Sequence, residues 1–508
     1  MLLNKQKHRL RSVPHRPFDL DTPLLYLSPS LDDAFTLRDA CSGVQCFGAT
    51  GSGKSSSVNR AFTRAYLQQG FGALITTTKP GDTDEYLRFC AEAGRLDDVI
   101  RFGPDSGYAF NPFRYEQTRP GAGGGQTENI VGLIRTILEA GDLGSGAGGG
   151  ARSNETFWRK ATDQIMRNSV DLLRFAGEEL SLTSIQEVLA TAPLALEQVQ
   201  DPGWQAGSYC WRCLQLANQR ELSEDEAHDC RATVRFWCQD FPTQDPKTRS
   251  NILISYAVMA DAFSRGLIRQ LFSTGLNVVP EMCASGAIWI VDLPTKVYGD
   301  VARQATCLIK YCWQQAMERR DVRTHPRPVA LIIDEADQFL TESDLAFQAT
   351  ARSAKVCTLL LTQSIAGYQC RLGGGGGTHN THAFLANLTT KIFTANSDPS
   401  TYEYAEQLFG KHWASRSSSS VSNPSRGSQS HGPNSSGGGG GGGASGGQVS
   451  SSTQQQVEAF LQGSELNRLR TGGPANDRRV QALCFQMGRT WAHSGTPVLP
   501  VVFNQASS

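Results

Sequence analysis

The sequence predicts an α/β fold built on a mainly parallel sheet and interrupted by an all-helical insertion, and three observations predict it. Short apolar runs alternate with helix-spaced stretches along the first hundred or so residues, the pattern of strands joined by crossover helices. Between 128 and 275 apolar residues recur every three or four positions, as in Phe157, Ala161, Ile165, Val170 and Leu173, and this reads as helix throughout. Strand texture then resumes at Ala287–Val291, Val329–Ile333, Val356–Leu361 and Lys391–Ala395.

In chain order, residues 1–40 form a basic lead-in carrying Lys5, Lys7, Arg9, Arg11 and Arg16, with no apolar signal core behind them. Residues 41–127 open the α/β part. A strand at Val44–Phe47 precedes a helix from Ser56 to Gln69, which has Val58, Phe62, Ala65 and Tyr66 at helical spacing. A strand at Phe71–Ile75, a turn at Lys79-Pro80-Gly81-Asp82, a helix from about Asp84 to Ala93 and a strand at Val99–Phe102 follow. Residues 128–275 are the helical insertion, with 16 acidic against 12 basic side chains between 154 and 275. Residues 276–414 return to the α/β part. Residues 415–452 are almost wholly Ser, Gly, Asn and Gln and read as a flexible linker. Residues 453–508 rejoin the sheet, with a helical piece near 453–462 and strands at Val480–Gln486 and Val498–Phe503.

Composition narrows the function classes. Lys plus Arg and Asp plus Glu are both 48 in 508 residues, so no global basic field marks a nucleic-acid partner. At 39% hydrophobic the chain can build cores. Nearly half of the 51 glycines fall in four patches, at 121–125, 141–150, 373–377 and 437–447, so the excess marks loops. No apolar run reaches the roughly 18 residues that a membrane span needs. Thirteen cysteines spread along a long chain read as reduced thiols and point to the cytoplasm. Cys210-x2-Cys213 with His228, Cys230 and Cys238 raises zinc. Partners scattered along probable helix fit buried thiols better. His379 and His382 beside the five-glycine run read as loop residues.

The chemistry begins at Gly48-Ala49-Thr50-Gly51-Ser52-Gly53-Lys54-Ser55, followed by Ser56. This is G-x-x-x-x-G-K-[ST] between a strand and a helix, where glycines let backbone N–H groups curl around a phosphate. Lys54 would reach the β- and γ-phosphates of ATP, and Ser55 would hold Mg²⁺. The strand Val329–Ile333 ends in Asp334-Glu335. Asp334 would complete the Mg²⁺ site and Glu335 would polarise the attacking water. A rival strand ends in Asp292, but with one acid and Pro294 close behind it is the weaker candidate. Arg352, 18 residues beyond Asp334, would in a ring reach the neighbouring subunit's γ-phosphate, and Gln363, ending the next strand, would sense that phosphate or orient water. On spacing alone they are equally a surface arginine and a strand-end amide. The fold expected is a RecA-like P-loop nucleoside triphosphatase domain with the helical insertion.

These residues resemble the coupling-protein ATPases of conjugative type IV secretion systems, within the hexameric DNA translocases. The resemblance also runs through Phe110-Asn-Pro-Phe113, Phe157-Trp158, Ala351-Arg-Ser353, Leu361-Thr-Gln-Ser364, Leu469-Arg-Thr-Gly-Gly473, Gly488-Arg-Thr-Trp491 and Phe503-x-Gln505. It implies a ring motor, a hexamer of identical subunits, that hydrolyses ATP with Mg²⁺ to move single-stranded plasmid or mobile-element DNA. A relaxase or accessory protein would dock on the acidic insertion, and a secretion channel would receive the cargo. Arg352 would then act as an arginine finger from the neighbouring subunit and Gln363 as a phosphate sensor. Such proteins usually carry N-terminal membrane helices, which this sequence lacks, so attachment at the inner membrane would be peripheral, through partners. They also often carry an acid before the lysine after the second strand, where this chain reads Thr77-Thr78-Lys79. An ATP-dependent recruiter of protein cargo and a nucleotide-gated switch are the alternatives.

Overall fold

The structure, a computed structural model, describes residues 18–142, 152–372, 377–422, 448–460 and 463–505. Residues 1–17 of the basic lead-in, most of the five-glycine run and residues 423–447 of the Ser/Gly-rich tract lie outside the described residues.

Thirteen strands are present among these residues. A hairpin of β1 (Pro23–Tyr26) and β2 (Ala34–Thr36) leads into β3 (Val44–Phe47), β4 (Gly72–Thr76) and β5 (Val99–Phe102). After the helical insertion come β6 (Ile288–Val291), β7 (Val329–Ile333), β8 (Val356–Thr362) and β9 (Thr390–Phe393). β10 (Lys411–Ser422) and β11 (Gln448–Ala459) form a ribbon, and β12 (Arg479–Gln486) and β13 (Val498–Asn504) close the chain. Nine strands make one sheet in the order β13-β12-β9-β3-β8-β7-β4-β6-β5. From β9 to β5 all neighbours are parallel, while β12 and β13 join antiparallel at one edge.

The parallel strands are apolar on both faces because both faces are covered. Side chains alternate between two cores. Val329, Leu331 and Ile333 of β7 enter the core shared with the helical insertion, whereas Ala330 and Ile332 enter the opposite one with Phe62, Tyr66 and Ile75. Trp289 of β6, fully buried, packs edge-on against Phe102 and Phe110 and fixes the sheet to the start of the insertion.

No strand interrupts the described residues between β5 and β6; the helices there include Thr127–Asp142, Arg152–Ala176, Tyr209–Gln219 and Pro246–Phe263. Together with the mainly parallel sheet this gives the expected α/β architecture with an inserted all-α region. The insertion packs onto the sheet through the long helix Thr295–Arg319, which lies against Thr127–Asp142. One face of that helix holds a buried ion pair: Lys310 bonds Asp344 and donates to the Phe339 carbonyl at 2.6 Å, while Gln314 donates to the other Asp344 oxygen at 2.7 Å. The pair anchors the segment following the acidic end of β7.

Several local expectations are corrected. The piece near 453–462 is not helical: β11 pairs with β10 residue for residue, from Lys411 opposite Ala459 to Ser422 opposite Gln448. Residues 450–456 are Ser, Thr and Gln with no apolar stripe to hold a helix against a core, and backbone pairing along a ribbon satisfies that stretch. The ribbon also gives both flanks of the expected linker a paired partner. His379 and His382 lie on the helix Gly377–Ala386. Cys210, Cys213 and Cys230 are buried, and burial pushes the Cys213 thiol up to about 11. No helix among the described residues is long and apolar enough to cross a membrane.

Replacing Lys310 with Met keeps the stem volume but strands the Asp344 carboxylate, and breaking a buried pair costs about 3–5 kcal/mol. Urea denaturation of Lys310→Met at neutral pH should show a loss of that order; a change near zero would mean that Asp344 finds water there.

Candidate functional site

Parallel strands present their C-terminal ends at one edge of a sheet, where ligand crevices form. Here β8 lies between β3 and β7, with Phe47 opposite Thr362 and Ile333 opposite Leu360. The register delivers Gly48, Gln363 and Asp334 to that edge at nearly the same height. A cleft of about 420 Å³ opens there, lined by the 49–56 loop, Lys79, Glu85, Lys296, Glu335, Gln338, Gln363 and Gln505.

The loop after β3 is held tightly. A Cβ on Gly48 would fall 2.0 Å from Thr394 Oγ1, and Gly53 adopts φ +86° with a would-be Cβ 2.4 Å from Val480 Cγ2. Only glycine fits either position. Ser52 is pinned by Thr394 Oγ1 at 2.9 Å. The backbone N–H groups of Gly51, Gly53 and Lys54 find no acceptor among the described residues, and the helix beginning at Lys54 adds its N-terminal partial charge. This is a cradle suited to phosphate. Gln505, from the far end of the chain, braces it: its Nε2 donates to Ser56 Oγ at 2.7 Å while Gly473 N donates to its Oε1 at 2.7 Å.

Three groups converge on Glu335. Lys54 Nζ lies 3.3 Å and Lys79 Nζ 3.2 Å from Oε1, and Gln363 Nε2 donates to Oε2 at 3.2 Å. Lys54 and Glu335 are buried, with side chains 6% and 5% exposed, while Lys79 is half exposed. Thr50 Oγ1 donates to Gln363 Oε1 at 3.1 Å and so ties the amide back to the loop. Burial alone would raise the Glu335 carboxyl, but Lys54, Gln363 and Lys79 together hold it below the usual range. Its backbone is left-handed, at φ +52°, a strained conformation for a non-glycine residue.

Asp334 behaves differently. It accepts a short hydrogen bond from Ser55 Oγ, and Oδ1 accepts from Glu335 N at 2.9 Å. Burial raises its pKa despite Lys54 and Ser55, so its negative charge is incompletely compensated. A hydroxyl beside an under-compensated carboxylate, next to a phosphate cradle, fits a Mg²⁺ ion, which keeps several waters and takes few protein ligands.

The rival acid, Asp292, is committed elsewhere, accepting from Thr83 Oγ1 at 2.6 Å and Arg101 Nε at 2.7 Å. Arg352 is not in the cleft. It is exposed in the turn before β8, whereas Gln363 follows the end of the same strand, so the two sit at opposite edges of the sheet. Lys79, Glu85, Lys296, Gln338 and Gln505 were not among the site residues named from sequence. Lys79 was legible as the residue after a parallel strand, just before a Pro-Gly turn. Gln505 stood only in the Phe503-x-Gln505 match, with no local rule placing it at the loop, since it arrives on an antiparallel edge strand.

Comparison with known proteins bears on this geometry. A family model described as the TraM recognition site of TraD and TraG matches residues 328–471. The unbound monoclinic form of the bacterial conjugative coupling protein TrwBdeltaN70 superposes with a TM-score of 0.57 at 14% identity, covering 97% of this chain and 90% of that one. The plasmid coupling protein TrwB in complex with ADP and Mg²⁺ gives 0.55 at 14% identity, covering 96% and 91%. At such identity the likeness is one of fold. No curated protein matches the chain.

Two variants test the site's electrostatics and packing. The raised Asp334 pKa means that its ionised form costs folding stability once pH climbs past its unfolded value. Asp334→Asn should therefore raise Tm near pH 7, with the gain disappearing below about pH 4; a lowered Tm at neutral pH would contradict the sign. Gly51→Ala and Gly53→Ala both force a side chain into positive φ, at about 1 kcal/mol, but only the second meets Val480. Gly53→Ala should be the more destabilised in thermal unfolding.

Proposed function

We propose that this chain is an ATP-hydrolysing ring motor that couples to and translocates DNA in conjugative or mobilisation-related type IV secretion. The observation carrying the hydrolase reading is the convergence of Lys54, Ser55, Glu335 and Gln363 in one cleft, with Asp334 bonded to Ser55 behind it, beside a loop that needs glycine at positions 48 and 53. The DNA reading rests on the fold shared with conjugative coupling proteins, one of them described in complex with ADP and Mg²⁺.

In this reading the residues divide the work. The N–H groups of Gly51, Gly53 and Lys54 receive phosphate oxygens, and Ser55 and Asp334 hold Mg²⁺. When bound, Mg²⁺ would supply positive charge against the phosphates. A γ-phosphate competes with Glu335 for Lys54, so the lysine changes partner and Glu335 Oε1, left with Lys79 alone, gains a free lone pair for water. Lys79 and Gln363 keep that carboxylate oriented and ionised. A carboxylate held at low pKa polarises water more readily than it removes a proton. Gln363, tied to both Thr50 and Glu335, reports phosphate occupancy to the loop.

Arg352 stands at the opposite edge of the sheet from its own cleft, so a role at a γ-phosphate requires a neighbouring copy. This favours a homo-oligomer, for which a hexamer is the expected closed ring. With net charge zero, DNA contact is local, at basic groups facing a central channel. A relaxase or accessory protein docks on the acidic helical insertion. The match of 328–471 to a segment described as a partner-recognition site favours a second reading, an ATP-dependent recruiter of protein cargo.

The separating experiment is ATPase rate with and without single- and double-stranded DNA, alongside sizing in ATP. The motor predicts stimulation by single-stranded DNA together with assembly; a DNA-indifferent rate favours the recruiter. Lys54→Ala should lose ATP turnover while keeping the fold, and Glu335→Gln should bind ATP and stall. Arg352→Ala should bind ATP yet hydrolyse it about 10³–10⁵-fold more slowly. Mixed with Lys54→Ala it should regain activity above the sum of the two, and a co-assembled mixture that never exceeds that sum removes the trans role.

A further inference from the structure

Away from the nucleotide cleft, two strand edges face each other. β13 ends the nine-stranded sheet with β12 on one side only, and β1 pairs with β2 alone. Between them lies a second cleft of about 240 Å³, flanked by Leu25 and Tyr26 on one side and Val502 and Phe503 on the other, with Arg60 and Arg64 also in its lining. Tyr26 and Val502 are 56% and 54% exposed.

Among the described residues the backbone of β13 has no partner on this side. Gln505 N donates to Arg478 O at 2.9 Å, toward β12. By the alternation of an antiparallel strand, the N–H and C=O groups of Val502 and Asn504 then point outward. Pro500 belongs to the same outward set, and an unpaired edge is where a strand tolerates a residue with no donor. The charge is one-sided. Arg60 and Arg64 share the carboxylate of Glu92, at 3.1 and 2.9 Å, and Arg60 also donates to Gln505 O at 2.9 Å, so the partly exposed Arg64 is the basic group offered to the cleft. The chain's own N-terminal stretch, with Lys5, Lys7, Arg9, Arg11 and Arg16, has the wrong sign to fill it.

We propose that this cleft is a docking groove for an extended acidic segment of a partner protein, which adds as a strand to β13 and sets a carboxylate against Arg64. Main-chain hydrogen bonds to the outward groups would give affinity, and the apolar walls with the arginine would give specificity. At about 3.4 Å per residue, roughly five residues would cover Pro500–Asn504. The docking is independent of the hydrolase reading, because no residue lining the groove also lines the nucleotide cleft.

The test uses the full chain without nucleotide and two fluorescent octapeptides, one alternating valine with aspartate and one alternating valine with lysine, read by anisotropy at low salt. The acidic peptide should bind saturably and at least about tenfold more tightly than the basic one, with Arg64→Glu reversing the order. Val502→Pro removes an outward donor without a bond to β12 and should cost about tenfold in affinity. Should that variant fail to fold, an acidic peptide N-methylated at alternate residues should lose binding to the wild-type chain. Failure of the acidic peptide to bind, equal binding of the two peptides, or binding indifferent to both Val502→Pro and N-methylation would overturn the proposal. So would ultracentrifugation showing self-association that the peptide competes away, since the occupant would then be a second copy.

Discussion

The cleft exists because β8 lies between β3 and β7, in register with both. Each strand alone ends in an unremarkable turn. Side by side and parallel, with their ends level, the three deliver a glycine loop, an amide and a pair of acids to one edge. That arrangement requires a sheet apolar on both faces, since helices must cross back over it after every strand. It also leaves room for insertion: a helical region can interrupt the chain between β5 and β6 because those strands lie at the far edge of the sheet from the glycine loop.

Charge in the cleft is deliberately unequal. Glu335 carries more positive neighbours than it needs, and Asp334 fewer. A buried carboxylate whose charge is undercompensated is costly in the folded chain and becomes useful only when a cation shares it. An over-compensated one is a partner that can be given up, and Lys54 is the group it would surrender. The left-handed backbone at Glu335 belongs to the same economy, strain retained where the surroundings over-determine it: Lys54, Lys79 and Gln363 around the carboxylate, and Asp334 on its own N–H.

Much of this was legible from sequence wherever a local rule applied. The glycine loop has fixed spacing between a strand and a helix, and Asp334 and Glu335 follow five apolar residues. What escaped depended on contacts between distant segments. Gln505 reaches Ser56 across 449 residues, and no periodicity marks it. The β1–β2 hairpin is short and half-buried, with no strong turn dipeptide, so its signal is weak. The β10–β11 ribbon is built largely from Ser and Gln, a composition that reads as linker, and its backbone pairing leaves no mark in the sequence. Arg352, expected to act across a subunit boundary, lies a full strand length from the cleft of its own chain.

The same long reach constrains how the chain becomes a working molecule during synthesis. The P-loop emerges early, yet Ser52 is pinned by Thr394 and Ser56 by Gln505, 342 and 449 residues downstream. The helical insertion is complete long before those partners exist, and its local contacts can form while β3 waits unpaired. Parallel pairing at such separation is intrinsically slow. A nascent chain therefore passes through a long interval in which apolar strands such as β3 and β4 lack their neighbours, the state in which chains aggregate or engage chaperones. The bracing of the glycine loop is consequently complete only after β13 and Gln505 have been made.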